Sequence, residues 1–255
     1  MAKGKTPIQE AIPDVVREPI KDHLREGVLK AEEGYFSAPT CEDSLTGGLG
    51  CSLQVCWSEP INVEDYVWKW RVKYRKLGSG NQHSSEEKST GADGIFQIEV
   101  KRYRFDPTAV NGGVGNLADD ESEFEFHKGV LFQAKRDGPT DKSRLLDQLH
   151  RMNEFTPQNG IYIEYGRAGY RMAPAEDFLT EIHGVTEGGL PSFSSLGDFL
   201  ASQFMECQRG VVGMHIDLHS CPQKLTVPSS IEPFDKLGGR LSHALIVEVS
   251  RFPRI

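Results

Sequence analysis

The chain has 255 residues, 38% of them hydrophobic and 26% charged, which suits one large domain, or one domain with appendages, and excludes wholesale disorder. A formal net charge of −8 excludes a surface built mainly as a nucleic-acid cradle, so a phosphate partner has to be met by a local basic patch. No apolar run approaches the ~20 residues that span a bilayer, and MAKGKTPIQEAIPDVV lacks the apolar stretch of a secretory signal, so a cytoplasmic location with no membrane partner is expected.

In chain order, Val15, Val16, Ile20, Leu24, Val28 and Leu29 recur at helical spacing and predict a helix over about 19–32, broken or kinked at Pro19. Pro39 and Thr40, followed by acids, suit a helix start. Leu45, Leu49, Leu53 and Val55 continue the helical spacing against three glycines that oppose it. Residues 66–76 alternate strictly, with Trp68, Trp70, Val72 and Tyr74 on one side and Lys69, Arg71, Lys73 and Arg75 on the other. That period of two predicts a half-buried strand. A Gly- and Ser-rich loop follows, then a second strand over 93–104 with Phe96, Ile98 and Val100 on one face. The next stretch ends in Asp119, Asp120, Glu121, Glu123 and Glu125 and is expected to be a long hairpin connection or insertion. A third strand is predicted over 128–136. A helix capped near Asp141 follows, with Leu145, Leu146, Leu149 and Met152 on its apolar face, and then a fourth strand over 160–165. Beyond 175, residues 196–206 suit a helix, and 211–219 and 243–252 suit strands.

The sharpest chemistry lies on the second and third strands. Asp93 opens the second within Thr90-Gly-Ala-Asp-Gly94, where flanking glycines let the backbone turn tightly and leave the carboxylate uncrowded. In Phe132-Gln-Ala-Lys135, Gln133 and Lys135 share a face while Phe132 and Ala134 point to the core. A carboxylate, an amide oxygen and the Ala134 carbonyl are hard oxygen ligands suited to Mg²⁺. A lysine beside the ion would orient an attacking water or stabilise charge developing on a phosphate.

GADGIF followed by GVLFQAKR, ahead of the Asp141–Phe155 helix, resembles the PD-(D/E)xK nuclease superfamily in its Mrr-like D…QxK variant. The resemblance covers about half of the chain. It implies an α/β fold with a restriction-endonuclease-like αβββαβ core, a mixed central sheet and flanking helices. It implies Asp93 as the metal-binding aspartate, Gln133 and Lys135 as the QxK pair, Glu42 as a helix glutamate completing the metal site, and Gln148 as a polar helix residue turned toward it. Gln133 removes the negative charge that the usual acid supplies, which leaves Glu42 or another carboxylate to compensate. Glu86 and Glu87 are further candidates without an assigned role.

The expected organisation is an N-terminal helical extension (1–35), a nuclease-like core (36–175) and a C-terminal α/β extension (176–255) that extends the sheet or packs around it. The implied activity is Mg²⁺-dependent hydrolysis of DNA phosphodiesters, with Mn²⁺ as a substitute, in a restriction or antiphage effector. Such an effector would work with a partner protein or as a homo-oligomer. The alternative is a catalytically inactive nuclease-fold protein that binds DNA or serves assembly.

Other features carry two readings each. The stripe Lys69, Arg71, Lys73 and Arg75 suits DNA phosphates or a solvated sheet face. His215, Asp217 and His219, with Cys221 nearby, would share one strand face as zinc ligands, or are ordinary surface histidines. The acids 119–125 form a solvated loop or a flap mimicking DNA. Five cysteines (Cys41, Cys51, Cys56, Cys207, Cys221) include no CxxC pair and read as reduced thiols.

Overall fold

A computed structural model describes residues 5–35, 41–77, 90–103, 122–138, 141–182, 192–218, 224–228 and 241–254. In chain order the helices are α1 (Pro7–Ala11), α2 (Asp14–Tyr35), α3 (Glu42–Leu53), α4 (Lys142–Phe155), α5 (Ala175–Ile182) and α6 (Leu196–Asp198), the last running into a π-helical turn, Phe199–Phe204. The strands are β1 (Ile61–Val63), β2 (Tyr66–Lys76), β3 (Gly94–Tyr103), β4 (Ser122–Arg136), β5 (Ile161–Gly166), β6 (Gly169–Pro174), β7 (Ser194–Ser195), β8 (Val211–Val212), β9 (His215–Asp217), β10 (Lys224–Thr226) and β11 (His243–Pro253). Among the described residues they form a mixed nine-stranded sheet, β1-β2-β11-β3-β4-β5-β6-β7, with β8 paired to β4 and a separate β9–β10 hairpin. Among the described residues, no helix is long and apolar enough to cross a membrane.

The alternation in β2 does what its period demands. Trp68, Trp70 and Val72 are buried, and in register with Val72 come Val247 on β11 and Ile98 on β3. This face packs against Leu24 and Val28 of α2, Leu45, Leu49 and Leu53 of α3, and Phe199 and Phe204 of the π-helical turn. The opposite face carries Ile95, Leu131 and Tyr162 under Leu145, Leu149 and Met152 of α4, Phe178 of α5, and Ile216 and Leu225 of the β9–β10 hairpin. The molecule is therefore an α/β protein with helices on both sides of a mixed sheet.

Four expectations are corrected. The helix expected over 19–32 begins at Asp14 and runs through Pro19. The amide that proline lacks would have met the carbonyl of Val15, which lies on the solvent side, so water can take its place. Residues 122–127 belong to β4, because Glu123 and Glu125 alternate with a buried Phe126. The strand expected over 211–219 is broken into β8 and β9 at Gly213, whose φ of +85° turns the chain. The largest difference concerns the C-terminal segment. β11 neither extends an edge nor packs around the core, but lies between β2 and β3, antiparallel to the first and parallel to the second. Its residues from His243 to Ser250 are all buried, as a central strand requires.

Candidate metal centre

The site assembles where β3 begins and β4 ends. Asp93 is fixed by its backbone: its N–H donates to Phe132 O at 2.8 Å, and its carbonyl accepts from Ser242 N at 2.8 Å and His243 N at 3.2 Å. Glycines permit this close approach. Gly91 has φ +67°, and a Cβ there would stand 1.9 Å from the backbone oxygen of Gln148 in α4.

One carboxylate oxygen of Asp93 accepts from Gln133 Nε2 at 2.6 Å and from Ala134 N at 2.8 Å. Gln133 is wholly buried, and its Oε1 has no hydrogen-bond partner. Ala134 meets Asp93 through its N–H, while its carbonyl accepts Gln133 Nε2 at 3.3 Å. Lys135 Nζ donates to Glu42 Oε2 at 3.0 Å, so α3 and β4 are joined at the same place. Withdrawal from water pushes the Asp93 carboxyl up to about 6, opposed by the Ala134 N–H and the Lys135 charge and reinforced by Glu42 and Asp43.

The structure thus brings Asp93, Gln133, Ala134, Lys135 and Glu42 together. Gln148 approaches through α4, its backbone against Gly91 and its side-chain Oε1 buried without a partner. Tyr162 stands in register beside Gln133, and its hydroxyl is also buried without a partner. The next residue on that face, Glu164, stands beside Lys135 and pairs with Arg171. Sequence reasoning passed over both, although the period of two in GIYIEY places them on the Gln133 face. Glu86 and Glu87 lie outside the described residues.

A second polar chain adjoins this centre and was not anticipated from sequence. Asp43, next to Glu42 in the first turn of α3, holds His243 Nε2 at 3.1 Å and Lys76 Nζ at 2.5 Å. His243 Nδ1 lies 3.0 Å from the Tyr74 hydroxyl. A carboxylate only accepts, so Nε2 carries the proton and Nδ1 accepts from Tyr74. The glycines of α3 make room: a Cβ on Gly50 would lie 2.3 Å from the Tyr74 ring.

The basic stripe is largely engaged. Arg71 Nη2 and Lys73 Nζ lie 2.9 and 2.5 Å from Glu248 Oε2, a buried carboxylate on β11. Burial would push Glu248 up, but Lys73, Lys101 and Arg71 outweigh it and hold the carboxyl below its ordinary value. Arg71 also lies over the Trp57 ring. Lys69 is partly buried and Arg75 is exposed. The stripe shares its sheet face with Gln133 and Lys135, with β11 and β3 between β2 and β4.

At the proposed zinc cluster, His215 Nδ1 bonds the Gly213 carbonyl at 3.1 Å and its ring lies 4.4 Å from that of His127. His219 and Cys221 lie outside the described residues, as do Asp119, Asp120 and Glu121. Among the described residues, no group of three or more His, Cys, Asp or Glu side chains is placed to hold a metal ion. Cys41, Cys51, Cys56 and Cys207 are free thiols.

The donor set at Asp93 nevertheless fits one hard cation that keeps much of its water, since Mg²⁺ is commonly held by only one or two carboxylates. Rotating the Gln133 amide by half a turn would place its orphaned oxygen beside the Asp93 carboxyl, which is favourable with a cation between them or with a proton on Asp93.

No protein-family model matches the chain, and neither a curated protein nor a solved structure is significantly similar to it.

Proposed function

We propose that this protein is a divalent-metal-dependent endonuclease that hydrolyses DNA phosphodiesters, with Mg²⁺ held by Asp93, the Gln133 amide oxygen and Glu42. The single observation that carries the reading is the convergence of Asp93 and Gln133 at 2.6 Å with Gln133 Oε1 left buried and unpaired beside Lys135 and Glu42. The order α3, β1, β2, β3, β4, α4, β5 is compatible with it, being αβββαβ with the three-residue β1 added after α3. The inserted β11 is an addition to that order.

The bound cation supplies a Lewis acid for the scissile phosphate. Asp93 and Gln133 orient it. Lys135 would hold the attacking water and offset charge on the phosphate oxygens, and Glu42, its partner at 3.0 Å, would be a further ligand of the ion. Arg75 and Lys69 provide cations on the same face for flanking phosphates. The free thiols agree with a reducing, cytoplasmic setting. A restriction or antiphage role, with a partner protein or as a homo-oligomer, rests on the family resemblance alone.

Plasmid cleavage with and without Mg²⁺ tests the reading. Nicking by wild type that disappears in Asp93→Ala supports it, and wild type without Mg²⁺-dependent cleavage removes it.

The second reading is a non-catalytic DNA-binding or assembly protein of the same fold. It is favoured by the fact that Asp93 and Lys135 already have protein partners. Retardation of DNA without nicking at any Mg²⁺ concentration selects it.

A further inference from the structure

His243 touches both segments that carry the acids of the metal centre. Its backbone N–H donates to the carbonyl of Asp93 at 3.2 Å, and its ring donates to Asp43, the neighbour of Glu42, at 3.1 Å. It is 2% exposed, and its other ring nitrogen is fixed by Tyr74 from β2 at 3.0 Å. The ring also stacks on Tyr74, with an interplanar angle of 15°. Tyr74 in turn packs where α3 has Gly50 in place of a side chain. One residue thus connects the strand bearing Asp93, the helix start bearing Glu42 and the neighbouring strand.

We propose that His243 is a positioning residue for the metal centre: held by Tyr74, it anchors the first turn of α3 through Asp43 and so keeps Glu42 within reach of Lys135 and of a cation at Asp93. This inference rests on the metal-centre reading above and adds a residue to it. The physical case is one of entropy. Cys41, the N-cap of α3, makes no side-chain hydrogen bond to the backbone of the turn, and its Sγ meets only the Ser44 hydroxyl, at 3.1 Å, an exposed contact that restrains the turn less than an ordinary cap does. The Glu42 side chain is 42% exposed, and the Glu42–Lys135 pair alone is the kind of partly solvated contact that contributes little. The Asp43–His243 bond reaches a buried partner and supplies what the cap does not. Groups hydrogen-bonded directly to a metal ligand commonly change metal affinity by about 10–100-fold when lost, and His243, which acts one step further out through Asp43, belongs at the lower end of that range.

The test uses the full chain and Mn²⁺, with free Mn²⁺ measured by electron paramagnetic resonance, and hydrogen exchange of the metal-free protein. His243→Ala should weaken Mn²⁺ binding about tenfold. His243→Gln, which keeps an N–H donor and a carbonyl acceptor, should recover most of that loss. Asp43→Ala, a half-exposed position that leaves the core intact, should reproduce the effect of His243→Ala. In a Glu42→Ala background neither substitution should add more than about twofold, because both act through Glu42. The amides of the first turn of α3 should exchange about tenfold faster in the metal-free Asp43→Ala protein.

Equal losses in the Glu42→Ala and wild-type backgrounds would overturn the inference while leaving the metal centre standing. So would unchanged Mn²⁺ binding in Asp43→Ala. A wild type that binds no Mn²⁺ defeats the metal-centre reading itself, and with it the proposed role of His243. Hydrogen exchange then decides separately whether His243 restrains α3, since unchanged protection in Asp43→Ala denies even that.

Discussion

Gln133 presents its amide nitrogen, not its oxygen, to Asp93 at 2.6 Å, and the oxygen left behind is buried with nothing to accept from. An unpaired buried acceptor costs about 1–3 kcal/mol, which a cation would recover by drawing the oxygen toward the carboxylate. Gln133→Glu should therefore bind Mg²⁺ about tenfold more tightly than wild type while lowering metal-free stability, because two carboxylates then face each other without a counter-ion. Thermal melting with and without Mg²⁺ checks this: the variant should melt lower without the ion and gain more on adding it.

The raised Asp93 carboxyl sets a pH window. Its folded value of about 6 lies above the ordinary 3.8, so the folded chain binds the proton more tightly than the unfolded chain does. The contribution of this group to stability is then fully present below about 4, falls as pH rises toward 6, and is level above it. In the metal-free protein at pH 8, Asp93→Asn should be stabilised by about 1–3 kcal/mol. Mg²⁺ competes with the same proton, so its affinity for wild type should rise through pH 5–7 and then level off. Denaturant unfolding and Mg²⁺ titration across this range measure both trends.

Lys135 is partly exposed, and its amine is held by Glu42. Lys135→Ala should abolish DNA cleavage, with stability changed by about 1 kcal/mol or less, since only a partly solvated pair is lost. Cleavage at the wild-type rate in a folded Lys135→Ala protein would deny the lysine its role in the reaction.

Glu248 has a different purpose. Fully buried on a central strand, it meets Arg71 and Lys73 and lies near Lys101. Glu248→Gln should cost about 1–2 kcal/mol by removing the buried carboxylate that Arg71 and Lys73, both partly exposed, share. Because the Glu248 carboxyl is held below its ordinary value, its contribution is present above about 4.5 and is lost as pH falls through the folded value. Chemical denaturation at pH 7 and pH 4 should show the gap between wild type and variant shrinking at the lower pH.

The parts of this fold that were legible in the sequence are those with a local period. YVWKWRVKYRK states its two faces, and Leu145, Leu149 and Met152 state the buried side of α4. Asp93, Gln133 and Lys135 could be grouped because one pairing, β3 with β4, brings them together. The position of β11 was not legible. HALIVEV is buried on both sides, and such a run says that a strand is central without saying between which neighbours. The same blindness hid the Asp43–His243 contact, since nothing local joins residues 200 positions apart in the chain. Pro19 misled for a related reason: its cost depends on whether the orphaned carbonyl faces water, which propensity alone does not say.

The insertion of β11 also bears on biosynthesis. Asp93 leans on the amides of Ser242 and His243, which leave the ribosome roughly 150 residues after it. At ordinary translation speeds of about 5–20 residues per second, the nascent chain spends some 8–30 s with this corner unbuilt. A polypeptide that stops before residue 242 would lack both the amides on which the Asp93 carbonyl rests and the strand that joins β2 to β3.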